Sequence, residues 1–334
     1  MSGTVPRSVV VTDAAMILAP AIEHLRNKGV TVTVVEEGAA PAVAAAQAAD
    51  SPVVIIGVMP FRDAEIATLR ETRLIIRAGI GYDMVDVDAA TSAGILVANV
   101  PDFCVDEVAD HTMALLLAAM RRLPHALDMW RQHKDWHVTS QLPPLRRLRG
   151  KRLGLIGLGR IGRQVAARAD GFGMEVVGYD PMIDSGTEVD GVTVHDLDEV
   201  LRTSDAISLH CPLTSETQHL INDERLSLLE PGAVLINTSR GGLVDLDALA
   251  KAVGTGTVGV AALDVLDGEP TPDLDNPLLS HENVIVTSHM AWFSVEAKHE
   301  LAINTALEAL RFLDGEEVRN GVNSAELAPE VNAT

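Results

Sequence analysis

A chain of 334 residues, 47% hydrophobic and 22% charged, has the length for two domains and the composition of a folded globular protein. Its net charge of −21 argues against a basic nucleic-acid surface, and two distant cysteines, Cys104 and Cys211, indicate neither a disulfide framework nor a zinc site. No apolar run is long enough to span a bilayer and the first residues lack a signal-peptide core, so the expected setting is cytoplasmic, with no nucleic-acid or membrane partner.

Apolar runs at residues 9–11, 30–35, 53–57, 74–78 and 95–98 predict strands, with helices at 21–27, 42–48 and 63–70 between them. Such alternation predicts a parallel sheet with helices on its faces. Asn99, Val100 and Pro101 interrupt it. A long helix follows from about 106 to 122, with Asp106 as its N-cap and Pro124 beyond its end. Its stretch 113–120 is apolar on all sides, which suits burial between domains or subunits. Residues 125–150 include Trp130, Arg131, His133, Trp136, His137, Pro143 and Pro144 and read as an irregular arm. The aromatic and histidine cluster there suits an interface or solvated surface better than catalysis.

Residues 152–180 organise the rest. An apolar strand at 153–156 runs into Gly157, Gly159 and Gly162 in G-x-G-x-x-G spacing, and a helix from Arg160 to about Phe172 follows. A second strand at 175–179 ends on Asp180. Gly157 permits the tight turn, Gly159 lets backbone approach a pyrophosphate, and Gly162 lets helix and strand pack closely. The helix N-terminus offers unpaired N–H groups and a positive dipole end to phosphate. Asp180 would accept ribose hydroxyls and repel a 2′-phosphate, and Pro181 and Met182 supply no arginine, so the pattern favours NAD (NADH) over NADP.

Strands at 206–209, 233–237, 258–262 and 284–287 follow, with helices at 197–203, 224–229 and 245–253, then an amphipathic helix at 295–313 and a short polar tail. The expected fold is α/β, with two doubly wound parallel-sheet domains, Rossmann-like and flavodoxin-like, and a cleft between them. Residues 1–100 plus 291–334 would form a discontinuous substrate-binding domain. Residues 101–290 would form the NAD-binding domain, with an arm at about 123–150.

Three strand ends carry ionisable groups: Arg240 after 233–237, Glu269 after 258–262, and His289 after 284–287. Strand ends of one parallel sheet converge, so the three could meet. An arginine can clamp a carboxylate and stabilise oxyanion charge. A histidine, with an unperturbed pKa of ~6.5, can donate a proton to a new alkoxide, and a glutamate can orient it and favour its charged form. The trio suits hydride transfer to a 2-oxo acid, the hydride coming from the cofactor. Nothing suggests a covalent nucleophile or a metal site. His111 and Cys104 are expected only to pack.

Together the fingerprint, the segment Asn237-Thr238-Ser239-Arg240-Gly241-Gly242-Leu243-Val244-Asp245, Asp264…Glu269-Pro270 and His289 resemble the D-2-hydroxyacid dehydrogenases over almost the whole chain. Arg77-Ala78-Gly79-Ile80-Gly81-Tyr82-Asp83, Asn99-Val100-Pro101, His289-Met290-Ala291-Trp292-Phe293-Ser294 and Arg319-Asn320-Gly321-Val322-Asn323 look most like their C-terminal-binding-protein branch. The resemblance implies a small 2-oxo or 2-hydroxy acid substrate, with Arg240 as its carboxylate and carbonyl anchor and His289 with Glu269 as acid/base pair. It implies that the Ile80 and Gly81 amides hold the carboxylate, with Arg77 nearby and Trp292 as a pocket wall. Arg160 and Ile161 would approach the pyrophosphate, Cys211, Pro212 and Thr217 the adenine, and Thr238, Asp264 and Thr112 the rest of the cofactor. The arm would join a homodimer. An NAD(H)-sensing corepressor scaffold is the alternative that the branch implies. Formate-oxidising relatives carry glutamine where Glu269 stands, and large phosphoglycerate dehydrogenases add C-terminal domains for which this length leaves no room.

Overall fold

The computed structural model describes residues 7–14, 16–134, 136, 142, 145 and 147–331. Of the arm residues singled out above, His137, Pro143 and Pro144 lie outside the described residues. The chain divides into two compact units, Met1–Cys104 with Phe293–Thr334, and Val105–Trp292.

In the first unit, β1 (Ser8–Val11), β2 (Thr31–Val34), β3 (Val53–Ile56), β4 (Leu74–Arg77) and β5 (Leu96–Ala98) form a parallel sheet in the order β2-β1-β3-β4-β5. β3 is valine and isoleucine throughout and wholly buried, as a strand covered on both faces must be. Helices α1 (Ala19–Asn27), α2 (Pro41–Ala48), α3 (Asp63–Ile66) and α4 (Val87–Ser92) connect the strands. α4, absent from the sequence reading, is capped by Asp86, whose carboxylate accepts the Ala89 amide at 2.9 Å.

The second unit opens with α5 (Val105–Met120) and α6 (Leu123–His133). Asp106 is therefore inside the first turn of α5 and is not its N-cap; its carboxylate accepts Arg168 at 2.8 Å, as Asp110 does at 2.6 Å. Pro124 lies beyond the end of α5, as expected. It sits in the first turn of α6, where a missing N–H costs nothing, so the start of the arm is helical.

β6 (Arg152–Ile156), α7 (Arg160–Gly171) and β7 (Glu175–Tyr179) follow the pattern read from the glycines. Next come β8 (Glu188–Val189), β9 (Val192–Val194), α8 (Leu197–Thr203), β10 (Ala206–Leu209), α9 (Asp223–Leu226), β11 (Ala233–Asn237), α10 (Leu246–Thr255), β12 (Val258–Leu263) and β13 (Val284–Val286). The sheet order is β13-β12-β11-β10-β6-β7-β9-β8, parallel except for the β8–β9 hairpin. The six strands from β9 to β12 take the doubly wound order 3-2-1-4-5-6, whose direction reverses between β6 and β10. α5 packs on α7, β11 and β12, so much of its all-round apolar surface is taken up within its own unit.

The chain then returns to the first unit. α11 (Val295–Leu313), capped by Ser294 accepting the Ala297 amide at 2.8 Å, packs on α1. The expected polar tail instead contains α12 (Ser324–Val331). Before it, buried Asn323 accepts the Val97 amide at 2.8 Å and donates to the Ile95 carbonyl at 3.0 Å and Thr91 at 2.7 Å, tying residues 320–323 to the edge of β5.

Candidate active site

The turn after β6 is built around its glycines. Gly157 has φ +101°, and a Cβ there would lie 2.6 Å from the His210 carbonyl oxygen; one on Gly162 would lie 2.2 Å from the Gly157 carbonyl oxygen. Neither position tolerates a side chain. A Cβ on Gly159 meets nothing within 4 Å. The first and third glycines thus serve close packing, and the second faces open space at the start of α7, beside exposed Arg160 and half-buried Ile161. At the end of β7, Asp180 is oriented by the amides of Leu158 and Met182, each donating to a different carboxylate oxygen at 3.0 Å.

Around the switch point, burial pushes the Cys211 thiol up to about 11, with the Asp180 charge adding to it. The Thr217 hydroxyl donates to the Pro212 carbonyl at 2.7 Å, closing the loop that follows β10. Thr112 on α5 and Thr238 after β11, both buried, share a hydroxyl hydrogen bond at 2.9 Å.

Three turns at the ends of β11, β12 and β13 assemble the ionisable trio. Asn237 shapes the first: its side-chain amide donates to the Arg240 carbonyl at 2.8 Å and its oxygen accepts the Ser239 amide at 3.0 Å. Gly241 presses this turn onto the next, since a Cβ there would fall 1.9 Å from the Leu266 carbonyl carbon and 2.1 Å from the Asp267 nitrogen. Glu269 is anchored by the Leu266 amide at 2.8 Å and hydrogen-bonds through Oε2 to His289 Nδ1. Burial works to raise the Glu269 pKa. The His289 hydrogen bond and charge, the Leu266 amide and the Arg240 charge outweigh it and hold the carboxyl below the usual glutamate range. Arg240, Glu269 and His289 are thus brought together within one unit.

Asp264, directly after β12, is buried and its carboxylate faces the backbone of the His289 turn. Trp292 is half-buried at the end of the same unit. Arg77, Ile80 and Gly81 belong to the other unit, at the end of β4. There the Asn99 side chain donates to the Ile80 carbonyl at 2.7 Å, the Val100 amide donates to the Gly79 carbonyl at 3.0 Å, and Arg77 folds back on the Ala78 carbonyl.

Residues 113–291, more than half of the chain, match the sequence model of the D-isomer specific 2-hydroxyacid dehydrogenase NAD-binding domain. The chain belongs to the D-isomer specific 2-hydroxyacid dehydrogenases. D-3-phosphoglycerate dehydrogenase from Methanocaldococcus jannaschii is 41% identical over 284 residues, covering 84% of this chain and 53% of that protein. The chain spans about half the length of the curated relatives it matches. The solved D-lactate dehydrogenase from Aquifex aeolicus, complexed with NAD and lactic acid, is 30% identical, with a TM-score of 0.84 over 94% of this chain and 98% of that one. A glyoxylate reductase from Paecilomyes thermophila is 27% identical, with a TM-score of 0.86 over 96% and 99%.

As a member of this dehydrogenase family, the chain carries an NAD-binding domain whose residues fit the dinucleotide: open space at Gly159, an α7 N-terminus without a side-chain cap, and a carboxylate fixed at Asp180. Among the described residues no helix is long and apolar enough to cross a membrane.

Some site residues escaped the sequence reading. His111, expected only to pack, has its Nε2 3.1 Å from the Thr287 hydroxyl and 3.5 Å from the Asp264 carboxylate. Its place beside Thr112 on α5 was the available signal. His210 lies against the fingerprint turn with Nε2 at 2.8 Å from Ser208 Oγ, and burial pushes its pKa down to about 4. It sits next to Cys211, at the end of the strand beside the fingerprint strand, and that adjacency could have drawn attention to it.

Proposed function

We propose that the dehydrogenase is an NAD-dependent enzyme that reduces a small 2-oxo acid to its D-2-hydroxy acid, and runs the reverse reaction. The observation that carries this reading is the Arg240, Glu269 and His289 cluster on three adjoining strand ends. When bound, the nicotinamide supplies or takes up the hydride. Arg240 binds the carboxylate and draws electron density toward the carbonyl oxygen. Glu269 occupies His289 Nδ1, which leaves Nε2 to exchange a proton with that oxygen. In reduction the imidazolium gives its proton to the new alkoxide; in oxidation the neutral ring takes it back. The Leu266 amide and the Arg240 charge favour the ionised form of Glu269 whichever form the ring takes.

The test is NADH oxidation with glyoxylate, hydroxypyruvate, pyruvate, phenylpyruvate and phosphonopyruvate, together with NAD reduction by D-3-phosphoglycerate, which the names of the curated relatives motivate. Turnover on at least one, lost in Arg240→Ala and His289→Ala, is expected. No turnover on any, or undiminished turnover in the variants, would refute the assignment.

The proposal includes a homodimer formed through the arm. No residue of α6 is buried, and Leu123, Leu127 and Trp130 expose 51%, 42% and 43% along one helical face. Trp136, 83% exposed, meets Trp130 edge-on with ring centroids 6.0 Å apart. An apolar stripe of this kind marks an interaction surface. Sedimentation should give a dimer that Leu127→Glu with Trp130→Glu dissociates; a monomeric parent chain contradicts it. Two cysteines far apart in the sequence, Cys104 and Cys211, fit the reducing cytoplasm as its location.

A further inference from the structure

The geometry points to His111 and Thr287 as positioning residues that act through Asp264 on the turn carrying His289, an inference that rests on the acid/base role proposed for His289. His289 has φ +51°, a left-handed backbone that a non-glycine residue keeps only when its surroundings impose it. Here one residue imposes it. The Asp264 carbonyl accepts the His289 amide at 2.7 Å, and its two carboxylate oxygens accept the Met290 amide at 3.0 Å and the Ala291 amide at 2.9 Å. Three successive amides of the turn thus close on Asp264.

The orientation of that buried carboxylate depends on its remaining donors. The Thr287 hydroxyl donates to Oδ1 at 2.5 Å. Having spent its one proton there, the Thr287 oxygen can only accept from His111 Nε2–H at 3.1 Å. The same nitrogen stands 3.5 Å from Oδ1, so it also offsets the buried charge. His111 lies on α5 next to Thr112, whose hydroxyl meets Thr238 two residues before Arg240. Adjacent residues of one helix therefore brace both the Arg240 turn and the His289 turn. Loss of the Thr287 hydroxyl strips one donor from Oδ1 and one acceptor from His111, and frees the carboxylate to rotate away from the Met290 and Ala291 amides.

The experiment uses the full chain with Thr287→Val, Thr287→Ser and His111→Gln. Thr287→Val keeps the side-chain shape and is expected to lower kcat about ten- to hundredfold while NADH affinity, read by fluorescence, stays within about twofold. Thr287→Ser restores kcat. In the apoprotein, the ¹H–¹⁵N imidazole signal of His289, assigned by its loss in His289→Ala, shifts in Thr287→Val and not in Thr287→Ser. A Thr287→Val chain with the parent's kcat and an unshifted His289 signal overturns the inference, as does an equal loss in Thr287→Ser. Should Thr287→Val fail to fold, His111→Gln must show the same lowered kcat and shifted signal, and its failure to do so is equally decisive. The imidazole spectrum needs no substrate. If the parent chain reduces none of the 2-oxo acids, the proposed function fails while the spectrum still decides the positioning role.

Discussion

Alanine at position 241 should remove most turnover and leave the cofactor cradle intact. A Cβ built on Gly241 lies 1.9 Å from the Leu266 carbonyl carbon, 2.1 Å from the Asp267 nitrogen and 2.2 Å from the Leu266 carbonyl oxygen. All three are backbone atoms, so no side chain can swing aside. Ordinary contact needs about 3.5 Å, and the two turns must part by roughly 1.5 Å. That displacement separates Arg240, next to the substituted residue, from Glu269, which is anchored by the Leu266 amide at 2.8 Å. Misplacing reacting groups by about 1 Å costs on the order of a hundredfold, so kcat should fall about a hundredfold, equivalent to about 2.7 kcal/mol of barrier. Overpacking should also cost about 1–3 kcal/mol of stability. Steady-state NADH oxidation, paired with fluorescence titration of NADH and a thermal melt, separates these effects. A Gly241→Ala chain whose kcat stays within about threefold of the parent's would refute the claim that this close approach assembles the trio.

Gly159→Ala should do the reverse, raising KM for NADH with little change in melting temperature, because its Cβ meets open space rather than protein; a lower thermal stability with unchanged KM would contradict this. Glu269→Gln keeps the side-chain size but loses the carboxylate that holds His289 Nδ1, so kcat should fall at least about tenfold with NADH affinity unchanged; a kcat within about twofold of the parent's would count against the pairing. His210 is held neutral by burial with a pKa of about 4, against 6.5 for the free side chain. As pH falls from about 6.5 to about 4 the unfolded chain takes up a proton that the native state refuses, so up to ~3 kcal/mol of stability is lost across that window. Urea unfolding at several pH values should show a shallower acid decline in His210→Gln, and an identical slope would count against the assignment.

What was legible in the sequence was local. The fingerprint strand, glycines, helix and Asp180 announce themselves within thirty residues, because turn chemistry and apolar periodicity act at short range. α11 is legible at its bounds because its run is amphipathic, and the structure adds the Ser294 cap. Pro124 lies beyond the end of α5, as the sequence suggests, but the helix α6 that it helps to open does not show, because proline suits a first turn as well as a stop. β8 and β9, two and three residues long, carry too little periodicity to see. The Arg240, Glu269 and His289 cluster was inferable because all three follow apolar strands of one parallel sheet. The bond between His111 and Thr287 joins residues 176 apart; the place of His111 beside Thr112 draws attention to it, but short-range patterns do not pair it with Thr287.

The central claim is that Arg240, Glu269 and His289 direct a hydride to C2 of a 2-oxo acid and a proton to its oxygen. Reduction with NADH deuterated at C4 on the transferred face, followed by mass and chiral analysis of the product, tests it most directly. The account predicts one deuterium at C2 of the D-2-hydroxy acid, with the rate of its formation collapsing in His289→Ala while NADH still binds. An L product, a product without deuterium, or transfer undiminished in His289→Ala would contradict it.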